Sequence, residues 1–413
     1  MVDHKRASLA LAALSVSTFT FVTTEILPVG LLTLMADDLH RSRSQVGLLM
    51  TGYAVVVVLL SLPLARITQR VPRRLLLGGT LGVFSAATLV TALAPGYGVL
   101  LGARLVVGAT QALFWSIVAT TATSMFPPQR RGRTVARLSI GAAVAPVLGV
   151  PLGTWLGQQA GWRAAFLVMA AVGAATCAGL VAWLPAHRPG TPTVIVRGSA
   201  PDGRRFLILV LCTAIGVTGA MTAQTYVTPF LLDVTGFAPD ALGPLLLVGG
   251  VAGLAGTVVV GRFLDRHPYL AHAVPMALLA ASMLAMYWLG GLAVAAVAVL
   301  AVCGLSYSAM AAAVQNRVLM LAPGSADVAS AGTSSAFNVG IAAGSLLGGV
   351  IIDGPGVRAT ALAAGLLTLA AVALLLAEPL LARRRASTVE SAGDGNSRQD
   401  DSITGNTAPL WPM

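Results

Sequence analysis

Apolar residues along this chain come as long unbroken runs, separated by short stretches that carry charge, Gly or Pro. A run of about 20 residues, wound as a helix, matches the ~30 Å hydrocarbon layer of a bilayer. The runs fall at 7–35, 45–65, 75–93, 98–124, 134–158 and 164–184. After a polar stretch they resume at 206–232, 241–263, 270–290, 292–321, 327–352 and 357–381. The pattern predicts an all-α membrane protein with twelve transmembrane helices. Its domains are expected as an N-terminal six-helix bundle over 1–184, a cytoplasmic central loop over 185–205, and a C-terminal six-helix bundle over 206–381. The remainder, 382–413, is rich in Ser, Gly, Asp and Asn, and is expected to be a disordered cytoplasmic tail because it has little apolar surface to bury. The first run is too long for a cleaved signal segment, so it is expected to stay as a helix.

Composition agrees with this pattern. Hydrophobic residues make up 56%, charged residues 10%, and the mean hydropathy is +0.83. Soluble domains carry about 25% charged residues, so a water-soluble fold is excluded. The net charge of +11 does not point to nucleic acid, because the basic residues sit in short loops between runs and form no single stripe. They do set an orientation. With the N-terminus inside, only Arg41, Arg43, Arg163 and Arg358 of the 26 Lys and Arg residues face out, and Arg104 lies within a run. Lys and Arg favour cytoplasmic loops, so both termini are expected in the cytoplasm, with the protein in a prokaryotic plasma membrane. Cys177, Cys212 and Cys303 all lie within apolar runs and have no metal or disulfide spacing.

The two halves also match each other. ARITQRVPRR from Ala65 corresponds to GRFLDRHPYL from Gly261, and GVPLG from Gly149 followed by Arg163 corresponds to GSLLG from Gly344 followed by Arg358. A parallel repeat of six helices is the architecture of major facilitator proteins. The chain resembles that superfamily, in its drug/proton antiporter branch. The superfamily's loop motif survives in the second half as Gly261, Arg262, Asp265 and Arg266. In the first half it is eroded, with Ala65, Gln69 and Pro72 beside Arg70, Arg73 and Arg74. Arg104, Gly108 and Ala112 resemble the fourth-helix motif, which the family associates with proton transfer. Gly141, Ala145, Pro146, Gly149 and Gly153 resemble the fifth-helix antiporter motif. TTEILPVGLL, FWSIVAT, VLGVPLG and FNVGIAAG resemble sugar efflux transporters of the arabinose and thiogalactoside exporter type. That resemblance implies proton-coupled export of sugars or sugar-like molecules by alternating access.

Glu25 reads as the one acid deep inside a run. A charged side chain there costs roughly 2.5–3.5 kcal/mol on insertion scales and is rare unless it faces a cavity and functions. It is therefore the candidate proton carrier, against a static structural pair as the plainer alternative. Arg104 is its candidate partner, since both lie at a similar depth, against an arginine reaching for the membrane surface. Candidate substrate residues are Tyr53, Gln111, Trp115, Gln224, Tyr226, Tyr307, Gln315 and Asn338, which offer donors, acceptors and aromatic faces, although such side chains also bond neighbouring helices. Tyr226, Gln315 and Asn338 are expected in one central cavity. Gly141, Pro146, Gly149, Gly261, Asp265 and Arg266 are candidate conformational elements.

No metal or cofactor is expected; the proton gradient supplies the energy. The expected partners are a small sugar or drug-like substrate, protons and the bilayer, with no nucleic acid, and a monomer is expected. A multidrug exporter of lipophilic compounds shares the same fold and motifs. An intramembrane enzyme is disfavoured, because the chain has no HExxH or GxSxG pattern.

Overall fold

Backbone N–H and C=O groups find no partners in hydrocarbon, so an apolar run must close its hydrogen bonds within itself. In the computed structural model each run is a helix. The structure describes residues 4–68, 71–127, 130–184, 200–324 and 326–383. Within them twelve helices are long and apolar enough to cross a membrane. The first half comprises α1 (Lys5–Asp38), α2 (Arg43–Ile67), α3 (Arg73–Ala92), α4 (Tyr97–Ser124), α5 (Arg133–Ala160) and α6 (Trp162–Trp183). The second comprises α7 (Gly203–Asp233), α8 (Pro239–Gly261), α9 (Pro268–Leu289), α10 (Ala293–Leu321), α11 (Val328–Asp353) and α12 (Val357–Leu381). The bounds read from the runs agree with these to within three residues. Local signals set several ends: Ser42 and Gln45 form a capping box at the start of α2, and Asp202 accepts from the N–H groups of Arg204 and Arg205 at α7.

The packing repeats with a step of six helices. In the first half α1 packs on α5 and α6, α3 on α4 and α6, and α2 on α4. In the second α7 packs on α11 and α12, α9 on α10 and α12, and α8 on α10. The loops repeat too. Arg163, at the start of α6, donates to Ala94 O beyond the end of α3 (3.2 Å), and Arg358, at the start of α12, donates to Tyr287 O at the end of α9 (2.9 Å). Arginine suits both positions because its fork reaches the last carbonyls of a neighbouring helix.

The halves meet mainly through α2 on α11 and α5 on α8, a pairing that also obeys the six-helix step. Polar bonds between them cluster toward one end. Arg43 pairs with Asp233, Ser44 donates to Asp353, and Thr228 donates to Val29 O at 2.9 Å. Thr51 reaches Ala342 O, at 3.4 Å, farther along α2. Among the described residues no side-chain hydrogen bond or ion pair joins the halves at the opposite end. The molecule is fastened on the Arg43 side.

The expected central loop falls largely outside the described residues, as do most of the expected tail and Gln69 and Arg70 of the eroded loop motif.

Candidate functional site

Pro28 lies inside α1. Having no N–H, it leaves the carbonyl of Thr24, four residues back, without its helical partner. Arg104, fully buried on α4, supplies the missing donor: its Nη1 donates to Thr24 O at 2.8 Å and its Nη2 to Glu25 O at 3.3 Å. The guanidinium also lies 4.8 Å over the ring of Tyr53. The expected Glu25–Arg104 partnership thus exists through the backbone carbonyl. No ion pair joins the guanidinium to the Glu25 carboxylate.

The carboxylate is held by an amide. Gln111 Nε2 donates to Glu25 Oε2 at 2.7 Å, and the Tyr53 hydroxyl donates to Gln111 Oε1. Gln111 stands seven residues, two helical turns, beyond Arg104 on α4, so one helix face delivers both groups to α1. Tyr53 on α2 closes the chain. Gly108 lets it approach, since a Cβ there would stand 3.0 Å from Tyr53 O.

Glu25 opens onto a cavity of about 620 Å³ between the halves. Among the described residues it is the one charged group of the lining, which also takes in Gln224, Thr257, Tyr307 and Ser308 as polar groups. Met50, Met221, Met283 and Met286 dominate the apolar walls, with Ile26, Phe230, Leu246 and Leu300. Cys303 contributes a thiol, which donates to Ser282 Oγ at 3.2 Å.

Tyr53 and Gln111 support Glu25 from behind and do not line the cavity. Tyr226 is buried between α7 and α11, donates to Ser345 O at 2.9 Å, and packs on Gly47 of α2. Gln224 ends the first helical segment of α7 and Tyr226 lies in the turn that interrupts it before Val227, and of the two only Gln224 lines the cavity. Gln315 and Asn338 lie one turn beyond the lining residues Ala311 and Ile341, and Asn338 Nδ2 donates to Ser334 O of its own helix at 3.0 Å. The structure therefore does not gather Tyr226, Gln315 and Asn338 at one cavity. Trp115 is exposed, with its ring edge-on to Phe114.

Of the conformational candidates, Gly141 and Gly149 allow α5 to cross α1 closely. A Cβ at Gly141 would overlap Ser15 O, and one at Gly149 the Thr23 hydroxyl. Pro146 lines the cavity in a π-helical turn, Ala145–Gly149, where Val150 N–H reaches back five residues to Ala145 O. Pro146 and Pro151 each remove an N–H from the ladder, which is the cause of this wider turn. Across the half interface, a Cβ at Gly250 of α8 would overlap Pro146 O. Gly261, Asp265 and Arg266 are exposed at the end of α8, and no ion pair involves the last two among the described residues.

Two features escaped the sequence reading. Glu25 is not the only buried acid. Glu378 on α12, 2% exposed, accepts from Arg317 Nη2 at 2.6 and 2.7 Å, and Arg317 Nη1 lies 3.2 Å from His272 Nδ1. Glu378 stands three residues from the end of its run, where an acid reads as solvated, and Arg317 reads as a loop cation. Three packed helices bury the cluster. The cavity methionines were missed as well, since Met within an apolar run carries no signal of which way it faces. A further likeness emerges between α1 and α7: Thr225 and Pro229 repeat the spacing of Thr24 and Pro28, with Tyr226 in the place of Glu25.

The Major Facilitator Superfamily model matches residues 13–334 of this sequence. The chain belongs to that superfamily. A probable sugar efflux transporter of Helicobacter pylori is 33% identical over 355 residues, covering 84% of this chain and 90% of the relative. The uncharacterized MFS-type transporter YtbD of Bacillus subtilis is 36% identical over 376 residues, covering 88% and 94%. Among solved structures, a bacterial homologue of the human lysosomal transporter Spinster, inward-facing and occupied, matches with a TM-score of 0.69 at 17% identity over 92% of this chain and 97% of that one. The major facilitator chain described here is accordingly a multi-pass membrane transporter, and family and relatives point away from an enzyme.

Proposed function

We propose that this transporter exports sugars or sugar-like small molecules in exchange for protons, by alternating access, across a prokaryotic plasma membrane with both termini in the cytoplasm. The observation that carries the proton-coupling reading is Glu25. Among the described residues it is the single charged group facing the cavity, held by a neutral amide and by no ion pair, so losing or gaining a proton does not require a salt bridge to be broken. Substrate class rests on the name given to the Helicobacter relatives.

Coupling requires outgoing substrate and incoming proton to favour opposite forms of one site. With the cavity open inward, Glu25 releases its proton and the carboxylate accepts from a substrate hydroxyl. With the cavity open outward, a proton taken up at the same oxygen removes that acceptor and substrate leaves. Gln111 fixes the carboxylate in both states, and Tyr53 fixes Gln111. Gln224, Tyr307 and Ser308 supply further donors and acceptors for hydroxyl groups.

The cavity wall favours a second reading. Four methionines and the aliphatic side chains around them suit a lipophilic molecule, because Met adapts to varied apolar shapes. A multidrug exporter is therefore the alternative substrate class.

Uptake into inverted vesicles under an imposed pH gradient tests both readings. The first expects accumulation of labelled sugars or glycosides, and its loss in Glu25→Gln with gradient-free substrate exchange retained. Accumulation of lipophilic cations but no sugar selects the second. An undiminished gradient-driven flux in Glu25→Gln removes the acid from coupling. Orientation is checked by cysteines placed at Ser42 and Ala200, expected to label from outside and inside respectively.

A further inference from the structure

A second cavity, of about 230 Å³, lies at the ends of α1, α4 and α5 remote from Arg43. Arg130, Arg133 and Arg137 line it, with no carboxylate among the described residues of the lining. The spacing of three and four residues puts all three on one face where α5 begins. None of them joins an ion pair among the described residues. The three cations therefore repel one another with no compensating charge among the described residues of the cavity wall. The N-terminal end of α5 adds the positive pole of a helix.

The walls are firm. Ser15 Oγ donates to Arg137 O at 3.0 Å and Thr18 Oγ1 to Leu138 O at 3.0 Å, which ties α1 to α5 beside the cavity. Thr134 Oγ1 donates to Arg130 O at 3.0 Å. The rest of the described lining is the hydroxyl residue Ser8 and the apolar Leu11 and Phe126. Guanidinium forks facing an apolar wall at the end of transmembrane helices fit an amphiphile with an anionic head.

We propose that this cavity binds the phosphate of an anionic phospholipid head group, with the three arginines as donors and Leu11 and Phe126 against its apolar part. Arginine matches phosphate oxygens two at a time, and basic pockets between membrane helices take lipid head groups at the interface. Free inorganic phosphate shares this chemistry, so the test must separate the two sources.

The experiment is native mass spectrometry of the full chain in neutral detergent, with phosphatidylglycerol, phosphatidylcholine or inorganic phosphate added. Phosphatidylglycerol should be retained in preference to phosphatidylcholine. Each single Arg→Gln change should weaken its retention about fivefold, and the triple change on the order of a hundredfold. Arg204→Gln, an exposed cation in the other half, should leave it unchanged. Gel filtration confirms that each variant is folded, and the single variants carry the test if the triple one aggregates. Displacement of the lipid by inorganic phosphate supports the site. Binding of phosphate without phosphatidylglycerol keeps the phosphate chemistry but assigns it to a soluble anion. Equal retention of both lipids with no effect of phosphate, or an unaltered preference in all the arginine variants, overturns the proposal.

Discussion

At the scale of single residues, the charge of Arg104 is engaged with a backbone defect that Pro28 creates. This makes a double-mutant cycle informative. Pro28→Ala restores an N–H that can bond Thr24 O, so Arg104→Met should destabilise the Pro28→Ala protein less than the parent. Interhelical hydrogen bonds in membranes average about 0.6 kcal/mol and reach about 1.7 kcal/mol, so a coupling within that range is expected. Thermal unfolding of the four purified proteins measures it, and a coupling of zero would show that the arginine does not serve the proline's carbonyl. Glu25 was legible in the sequence because an acid in the middle of a long apolar run has few harmless explanations. Glu378 was not, since three residues from the run's end the same side chain reads as solvated. Helix rotation was not legible either. Gln224 and Tyr226 have similar polarity, and only packing decides which one meets the cavity.

At the scale of elements, the contact of α1 with α5 depends on the absence of side chains. Gly141→Val would drive a branched side chain into the backbone carbonyl of Ser15, which no rotamer change relieves. Overpacking of this kind costs typically about 1–3 kcal/mol. Lower thermal stability of the purified variant is expected, with a smaller effect for Gly102→Val, where nothing lies within 4 Å of a new Cβ. Equal losses at the two positions would dissociate the glycine from the crossing. Helix existence and length were readable because unbroken apolar runs of about 20 residues match a spanning helix, whereas a barrel strand takes about 10 residues of alternating polarity. The π-helical turn was readable only as a proline among glycines. Its wider bonding emerges from Pro146 and Pro151 acting together.

At the scale of the whole molecule, the polar side-chain bonds between the halves among the described residues cluster toward one end. Alternating access requires that fastening to release. Arg43→Ala or Asp233→Asn should therefore weaken closure on the Arg43 side, raising the rate at which an impermeant reagent modifies a cysteine introduced in place of Val29, which lines the cavity. The expected change is severalfold, since a partly exposed ion pair contributes about 0.2–1 kcal/mol. An unaltered rate in both variants would place the restraint elsewhere along α2 and α11.

Of the protein's three free cysteines, only Cys303 stands in the cavity wall. The unmodified sequence thus carries its own occupancy reporter, in the compartment where transported molecules are proposed to reside. Alkylation of this thiol by a small permeant maleimide should slow in proportion to ligand saturation, while Cys177, half-buried and outside the cavity wall, serves as an internal reference whose labelling stays constant. Peptide mass mapping of the wild-type protein would then yield a dissociation constant for any compound tried, with no engineered probe, and a panel of sugars and lipophilic cations could be ranked by the protection each confers.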